Sequence, residues 1–392
     1  MTNNKIYLTG ISFLSYSITG ALITVTGIMM ENIAKCFHIS ISHISHIFTF
    51  LNFGILISIF LNAWLIKTIP MKNQLQLGFL LMTMSIGGLI YGKNLIIFSI
   101  SIFFMGIVSG ITMSIGTLLI TYLYQGQKRA SVLLITDSFF SLSGTLFPII
   151  ASFLISIKKP WYYIYIIIDV IYLIIFILSL ITKFPIFSNT IKQKIKKKKH
   201  LHLKTKICLI LLSISSTIYI LGQLSFISWI PEYIHKIIKL NSIKLSGKLV
   251  SNFWMSYMIG MWFFSFLLKS FDLQKILSML SGISTIIMFC FLHSKKIIIL
   301  KCAIIILGFF SSAIYTIIIS LASLQIKKLS TKIISLILTC GTIGSMLTFI
   351  FTGYIISKKG IVVSLLVSNF LYFIVFIISI ILFFFTCHKK NS

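Results

Sequence analysis

The chain has 392 residues, of which 58% are hydrophobic and only 10% are charged, and its mean hydropathy is +1.06. A soluble domain has about 25% charged residues, so this composition excludes an ordinary water-soluble protein. The formal net charge of +29 is carried almost wholly by lysine, with Arg129 as the single arginine. Base and phosphate recognition favours arginine, which argues against nucleic-acid binding.

Twelve apolar runs, each long enough to cross a bilayer, follow one another along the chain. In chain order the predicted spans are 6–30, 44–66, 75–92, 95–123, 130–156, 161–183, 207–230, 247–268, 274–293, 297–320, 333–356 and 361–386. They predict an all-α membrane protein with twelve transmembrane helices. No small-residue cleavage site follows the first run, so we interpret it as a retained span and not as a signal peptide.

The longest polar break lies in the middle of the chain, where residues 183–206 contain nine lysines. It predicts two six-helix bundles, 1–183 and 207–392, joined by a basic linker at 184–206. A polybasic segment strongly prefers the cytoplasm, which predicts that both termini are cytoplasmic. The linker is also expected to touch anionic membrane lipids without specificity.

Metal and disulfide sites are not expected. The six cysteines are scattered without short paired spacings. His43 and His46 lie three residues apart, but no neighbouring cysteine or carboxylate completes a ligand set.

The two halves show an internal repeat at a shift of about 200–203 residues. The matching features are Tyr16 and Gly20 with Tyr219 and Gly222, Asn52-Phe53 with Asn252-Phe253, and Gly106 and Ser109 with Gly308 and Ser311. Several pairs of spans share nearly one offset, which predicts two parallel pseudo-repeats of six helices each.

Twelve spans with a long basic central loop resemble the major facilitator superfamily. More narrowly, the chain is similar to the TsgA-type members in these stretches: SYSITGALITVTGIMMENIA, FTFLNFGILISIFLNAWL, GIVSGITMSIGTLLI, TDSFFSLSG, GQLSFISWIPEY, LVSNFWMSYMIGMW, LGFFSSAIYT and LTCGTIGSMLTFI. The resemblance implies a monomeric transporter of the bacterial inner membrane. It also implies that spans 1, 4, 7 and 10, with 2, 5, 8 and 11, surround a cavity.

The chain departs from the superfamily in the loop between spans 2 and 3. That loop usually carries an aspartate and arginines, but here it reads NAWLIKTIPMKNQ. The equivalent loop after span 8, LLKSFDLQK, keeps Asp272, which makes Asp272 a gating candidate.

Asp137 is one of only five acidic residues and lies inside an apolar span. Ser141, Gly144, Pro148 and Ala151 follow it at helical steps of four and three, so Asp137 shares a small-residue face that should point inward. With the span starting near Ala130, Asp137 lies about 10 Å from the cytoplasmic end.

Two interpretations of Asp137 stay open. It could bind a cationic substrate group or carry a coupling proton, because an inward-facing membrane acid is a default site hypothesis. Alternatively, it could bond neighbouring helices at the cytoplasmic gate, near the positive start of its helix. Gly144 and Pro148, which resemble the superfamily's glycine-proline element, are hinge candidates beside it.

Amide and tyrosine side chains supply the other candidates for the substrate path. Gln223 lies deep in span 7, and Asn252 and Tyr257 lie in span 8. Tyr16, Asn52 and Tyr315 complete the set. Trp229 and Trp254 fit either this path or an interfacial aromatic belt, and the belt is the favoured interpretation.

A secondary transporter or facilitator that moves a small solute by alternating access is the leading hypothesis. No nucleotide-binding signature is present, so ATP is not expected to drive it. Proton coupling and facilitated diffusion are both open, and a channel-like or non-transporting sensor or scaffold is the alternative. No enzyme motif and no cofactor are predicted. The spans carry no arginine, which mildly favours neutral, zwitterionic or cationic solutes.

Overall fold

A computed structural model of the chain describes residues 2–92, 94–124, 126–185, 203–238, 243–267, 272–324 and 331–387. These residues form thirteen helical segments and no strand. The segments are α1 Thr2–Phe37, α2 Ile41–Thr68, α3 Met71–Tyr91, α4 Leu95–Leu123, α5 Gly126–Ser156, α6 Tyr163–Ile181, α7 Leu203–Lys236, α8 Ile243–Leu267, α9 Leu273–His293, α10 Ile297–Ser311, α11 Ile314–Leu324, α12 Thr331–Lys359 and α13 Ile361–Cys387.

The predicted all-α fold with twelve spans is confirmed. Helices α1 to α9 correspond to spans 1 to 9, α10 and α11 together to span 10, and α12 and α13 to spans 11 and 12. Within the described part of the chain, eleven helices are long and apolar enough to cross a membrane. The remaining span is α8. Its 25 residues are long enough to cross a membrane, but Lys248 and Asn252 make it more polar.

Span 10 is interrupted, which the sequence did not predict. Helix α10 ends at Ser311, and α11 begins at Ile314. The hydroxyl of Tyr219 in α7 donates a 2.7 Å hydrogen bond to the Ser311 carbonyl oxygen. In a regular helix that carbonyl would accept from the N–H of Tyr315, so insertion of a side chain into the ladder explains the break.

The chain divides into two compact units, 1–199 and 200–392. The first contains α1 to α6 and the second contains α7 to α13. The division falls inside the segment 184–206, whose residues 186–202 lie outside the described ranges.

Each unit contains a close seam between two helices, built on the same pattern. In the first unit, Gly106 of α4 lies against the backbone of Leu51 in α2, and in the second, Gly308 of α10 lies against the backbone of Phe253 in α8. Both pairs are related by a shift of 202 residues. Glycine permits this because a Cβ at either position would collide with backbone atoms.

The shift of 202 residues shows that one predicted match was wrong. It places Asn52 opposite Trp254, and not opposite Asn252 as identical residue types suggested. The backbone contact, and not residue identity, sets the register of these helices.

A second contact between the same two helices pairs a serine with a glycine in both units, but the two residue types have changed places. In the first unit, Ser58 of α2 lies against Gly110 of α4. In the second unit, the residues 202 positions later are Gly260 of α8 and Ser312, which directly follows α10, and they also touch. The seam therefore holds one glycine and one serine in both units, on opposite helices.

Candidate functional site

The first helix of each unit is enclosed by protein over its middle. Residues 15–22 of α1 and residues 221–230 of α7 are all buried, whichever face of the helix they occupy. Both stretches nevertheless carry polar side chains, including Tyr16 in α1 and Gln223 in α7. A helix buried on every face lies inside its bundle, so these polar groups must find partners in protein, water or ligand.

Helix α5 turns its small-residue face inward. Ser141, Gly144, Pro148 and Ala151 are buried, while Leu146 and Ile149 on the opposite face are exposed. Asp137 lies on the small-residue side and is partly accessible.

The position of Asp137 along its helix differs from the expectation. Helix α5 begins at Gly126 and not near Ala130, so Asp137 lies eleven residues in, about 16 Å from the helix start instead of about 10 Å. This depth weakens any effect of the positive helix terminus, which falls off within the first turn.

Helices α1 and α5 meet in a tight contact beside Asp137. The rings of Phe13 and Phe139 stack with their centroids 4.4 Å apart. Ser17 donates a hydrogen bond of 3.5 Å to the Phe139 carbonyl oxygen, and Gly20 lies against the backbone of Phe140. These contacts fix the position of α5 relative to α1 at the level of the acid.

Tyr16 and Thr117 form the polar neighbourhood of Asp137. Their hydroxyl groups are hydrogen-bonded at 2.8 Å, which joins α1 to α4. The Asp137 carboxylate lies close enough to act electrostatically on the Tyr16 hydroxyl. Among the side chains that the structure describes, which exclude those of residues 126–131, Asp137 has no hydrogen bond or ion pair, so the bonds to neighbouring helices expected of a gate residue are not seen among them.

The buried amides are incompletely bonded. Gln223 is 3% exposed and Asn52 is 2% exposed. Among the residues that the structure describes, the Nε2 of Gln223 and the Oδ1 of Asn52 have no hydrogen-bond partner. One is a donor and the other an acceptor, and each leaves a buried polar group to be satisfied.

The remaining candidates of the second unit are partly accessible. Asn252 lies on α8, and the Tyr257 ring lies 5.4 Å from the ring of Trp254. The Tyr257 hydroxyl is near that of Tyr219. Tyr315 places its hydroxyl over Gly341 of α12, so it belongs to a different helix contact from Tyr257.

Trp229 and Trp254 are not members of an interfacial belt, which corrects the favoured expectation. Trp229 is fully buried, and its Nε1 donates a 2.8 Å hydrogen bond to Thr352 of α12. Trp254 is 3% exposed. Both rings therefore belong to the interior of the second unit.

Two of the gating candidates lie in different environments, since Pro148 is buried and Asp272 is exposed. Pro148 is buried inside the continuous helix α5, where it lacks the N–H that would bond the Gly144 carbonyl. Asp272 is exposed and caps α9, accepting a hydrogen bond of 3.3 Å from the Gln274 backbone N–H. Its observed contact is thus a helix cap.

The sequence of the chain matches the Major Facilitator Superfamily over residues 11–348. The chain belongs to the Major Facilitator Superfamily. It is accordingly a multi-pass membrane protein and a secondary transporter of a small solute.

Curated relatives within the superfamily cover the whole chain. A protein named TsgA homolog from Buchnera aphidicola subsp. Schizaphis graminum is 56% identical, over 99% of this chain and 97% of that protein. A TsgA homolog from Yersinia pseudotuberculosis serotype O:1b is 51% identical, over 100% of this chain and 98% of that protein. These similarities confirm the predicted TsgA-type resemblance.

A solved structure has the same fold. A crystal structure of a mutant of the nucleoside transporter NupG covers 98% of this chain and 99% of its own, with a TM-score of 0.73. The sequences are only 13% identical, so this likeness supports the superfamily fold alone.

Two polar residues, Thr117 and Asp169, were not predicted from the sequence to take part in a site. Thr117 lies one residue after Gly116 in α4, and nothing in its sequence spacing marks it as the partner of Tyr16. Asp169 of α6 accepts a hydrogen bond of 3.0 Å from Thr83 of α3 through Oδ2. Its Oδ1 is buried without a hydrogen-bond partner among the described residues.

Proposed function

We propose that this transporter carries a small polar solute without net negative charge, by alternating access, across the bacterial inner membrane, with both termini in the cytoplasm. The observation that carries the proposal is the pair of enclosed helices, α1 and α7, with polar side chains along stretches buried on every face. Buried polar groups in membrane spans mark substrate pathways because they are costly elsewhere.

The buried polar atoms without hydrogen-bond partners support the proposal that the solute has no net negative charge. The free Nε2 of Gln223 can donate to a hydroxyl or carbonyl oxygen, and the free Oδ1 of Asn52 can accept from a hydroxyl or N–H group. The predicted spans contain no arginine, the usual bidentate partner of carboxylate and phosphate. Neutral polar solutes, zwitterions and cations therefore fit these groups better than anions.

Lysines near the chain's centre support the proposed orientation. The segment 183–206 carries nine of them, and such a segment stays on the cytoplasmic side during insertion. Accessibility of single cysteines introduced near either terminus to an impermeant thiol reagent, in spheroplasts and in inverted vesicles, tests it. Labelling from outside in intact spheroplasts would contradict it.

A ligand screen followed by uptake measurement tests the proposed function. Purified protein is screened for thermal stabilisation by neutral, zwitterionic, cationic and anionic solutes. Nucleosides are included in the neutral set because NupG, which has the same fold, is a nucleoside transporter. Uptake of the solutes that stabilise the protein is then measured in proteoliposomes that contain it, with and without a pH gradient. Saturable uptake is expected, and stimulation by the gradient would indicate proton coupling. Conductive, non-saturable flux, or uptake confined to anions, would contradict the proposal.

A matched variant connects that screen to the structure. Gln223→Leu keeps the size of the side chain but removes the unpartnered donor, so binding of the stabilising solute should weaken while the folded yield is kept. Gln74→Leu is the control, because Gln74 is also a buried amide with one unpartnered atom, its Oε1, but it lies in α3 and its Nε2 donates to the Ile69 carbonyl oxygen. Equal binding losses in both variants would show that Gln223 acts through stability alone.

A further inference from the structure

The helix backbone next to Asp137 is held in place, and the acid has no hydrogen bond or ion pair among the side chains that the structure describes. The stacked rings of Phe13 and Phe139 and the backbone contact of Gly20 with Phe140 hold α1 against α5 next to it. The two ion pairs in the described part of the chain, Glu31–Lys35 and Glu232–Lys236, lie on other segments. The segment that carries the acid is therefore fixed against α1, and no described side chain forms an ion pair with it.

The environment of Asp137 has an accessible side. Phe13 of α1 and Met113 and Thr117 of α4 are partly accessible, as is Asp137 itself, although their neighbours Ile115 and Gly116 are buried. Phe13 lies one turn from Tyr16 in α1, and Met113 lies one turn from Thr117 in α4. The acid and these three side chains, on three different helices, are thus not sealed in the core as Ile115 and Gly116 are.

The groups around Asp137 favour a cation. A carboxylate and two hydroxyl oxygens present acceptor atoms, which match the N–H donors of an ammonium group. Phe13, which is stacked on Phe139 and only partly buried, provides an aromatic ring near the acid that a cation could also contact. An unpaired acid at this depth is costly, and a bound cation would offset that cost.

We propose that Asp137, with the hydroxyl groups of Tyr16 and Thr117, binds the positively charged amino or quaternary ammonium group of the transported solute. This inference rests on the proposed transport function and narrows its substrate class to cationic or zwitterionic compounds. Tyr16 and Thr117 orient the charged group, and Asp137 supplies the charge.

Chemical protection of Asp137 tests the site without relying on any variant. Purified wild-type protein is treated with a hydrophobic carbodiimide, which modifies buried carboxyl groups, and modification is measured at each acid by peptide mass spectrometry. Cationic probes are paired with neutral isosteres, such as choline with dimethylbutanol and putrescine with butanediol. At least one cation should slow modification of Asp137 about tenfold relative to its isostere, as expected for a charge-assisted hydrogen bond. Modification of Asp169 should be unaffected.

Uptake by matched variants completes the test. Asp137→Asn should abolish saturable uptake of the protecting cation, while Asp169→Asn, which removes the other acid deep in a span, should retain it. The inference is overturned if no cation protects Asp137, if cations and isosteres protect equally, or if Asp137→Asn still transports the cation. It is also overturned if Asp137→Asn binds the cation normally and loses only stimulation by a pH gradient, since Asp137 would then be a proton carrier.

The two proposals fail differently. Saturable uptake of a neutral solute by the wild type, without protection of Asp137 by any cation, would overturn the cation site and leave the transport function standing. Protection of Asp137 by a cation, without saturable uptake of any solute, would support the site and contradict the transport function.

Discussion

Exchanging the serine and the glycine of the α2–α4 seam should reproduce, in the first unit, the arrangement of the second. Gly110→Ser alone places a Cβ 2.8 Å from the Cβ of Ser58 and 3.2 Å from the Ile55 carbonyl oxygen. Overpacking of this kind costs about 1–3 kcal/mol. Adding Ser58→Gly removes the closer of these two contacts, so the double variant should recover most of that loss.

Thermal unfolding of the purified single and double variants measures the coupling. The single Gly110→Ser variant should melt several degrees below the wild type, and the double variant should show a coupling energy of about 1 kcal/mol or more. Ser58→Gly alone is the control. It loses the hydrogen bond from the serine hydroxyl to the Ile55 carbonyl oxygen and places a glycine in a helix, which costs about 0.5–1 kcal/mol.

The second unit offers the mirror experiment. Gly260→Ser places a Cβ 3.1 Å from the Cβ of Ser312 and 2.6 Å from the Phe309 carbonyl oxygen, and Ser312→Gly should relieve only the first contact. Rescue should therefore be smaller in the second unit than in the first. If neither double variant is more stable than its glycine-to-serine parent, the interpretation that both units share this helix contact, at a shift of 202 residues, is refuted.

Further predictions concern polar contacts inside the helices. Lys236→Met should destabilise the protein by about 1.5–3 kcal/mol in thermal unfolding, because it leaves Glu232, only 7% exposed in its side chain, without the charge-assisted bond from the half-exposed Lys236. Lys35→Met should cost less than about 1 kcal/mol, since Glu31 is 25% exposed; equal losses would contradict the argument from burial. Tyr219→Phe should allow the span 10 helix to close at Ser311, which increased hydrogen-exchange protection of the following amides would reveal. Unchanged exchange would mean that the break has another cause.

The sequence predicted the fold well because the bilayer requires long apolar runs, and those runs are visible without any knowledge of contacts. It could not predict the break in span 10, since the cause is a hydroxyl group from Tyr219 on another helix. It also misplaced Trp229, which is fully buried and donates a hydrogen bond to Thr352, 123 residues away in the chain. Asp137 was found because an acid in an apolar run is conspicuous, whereas Thr117, an ordinary hydroxyl residue, was not.

Comparison of the two units shows that the fold does not require the acid of α5. Helix α12 occupies in the second unit the place that α5 occupies in the first, and it lies against α7 through Gly344 as α5 lies against α1 beside Gly20. Helix α12 contains no aspartate or glutamate in its 29 residues. The repeated architecture is thus built once with an acid and once without. An acid that the fold can dispense with, that is costly at this depth, and that has no ion pair among the described side chains is better explained by a ligand than by structure.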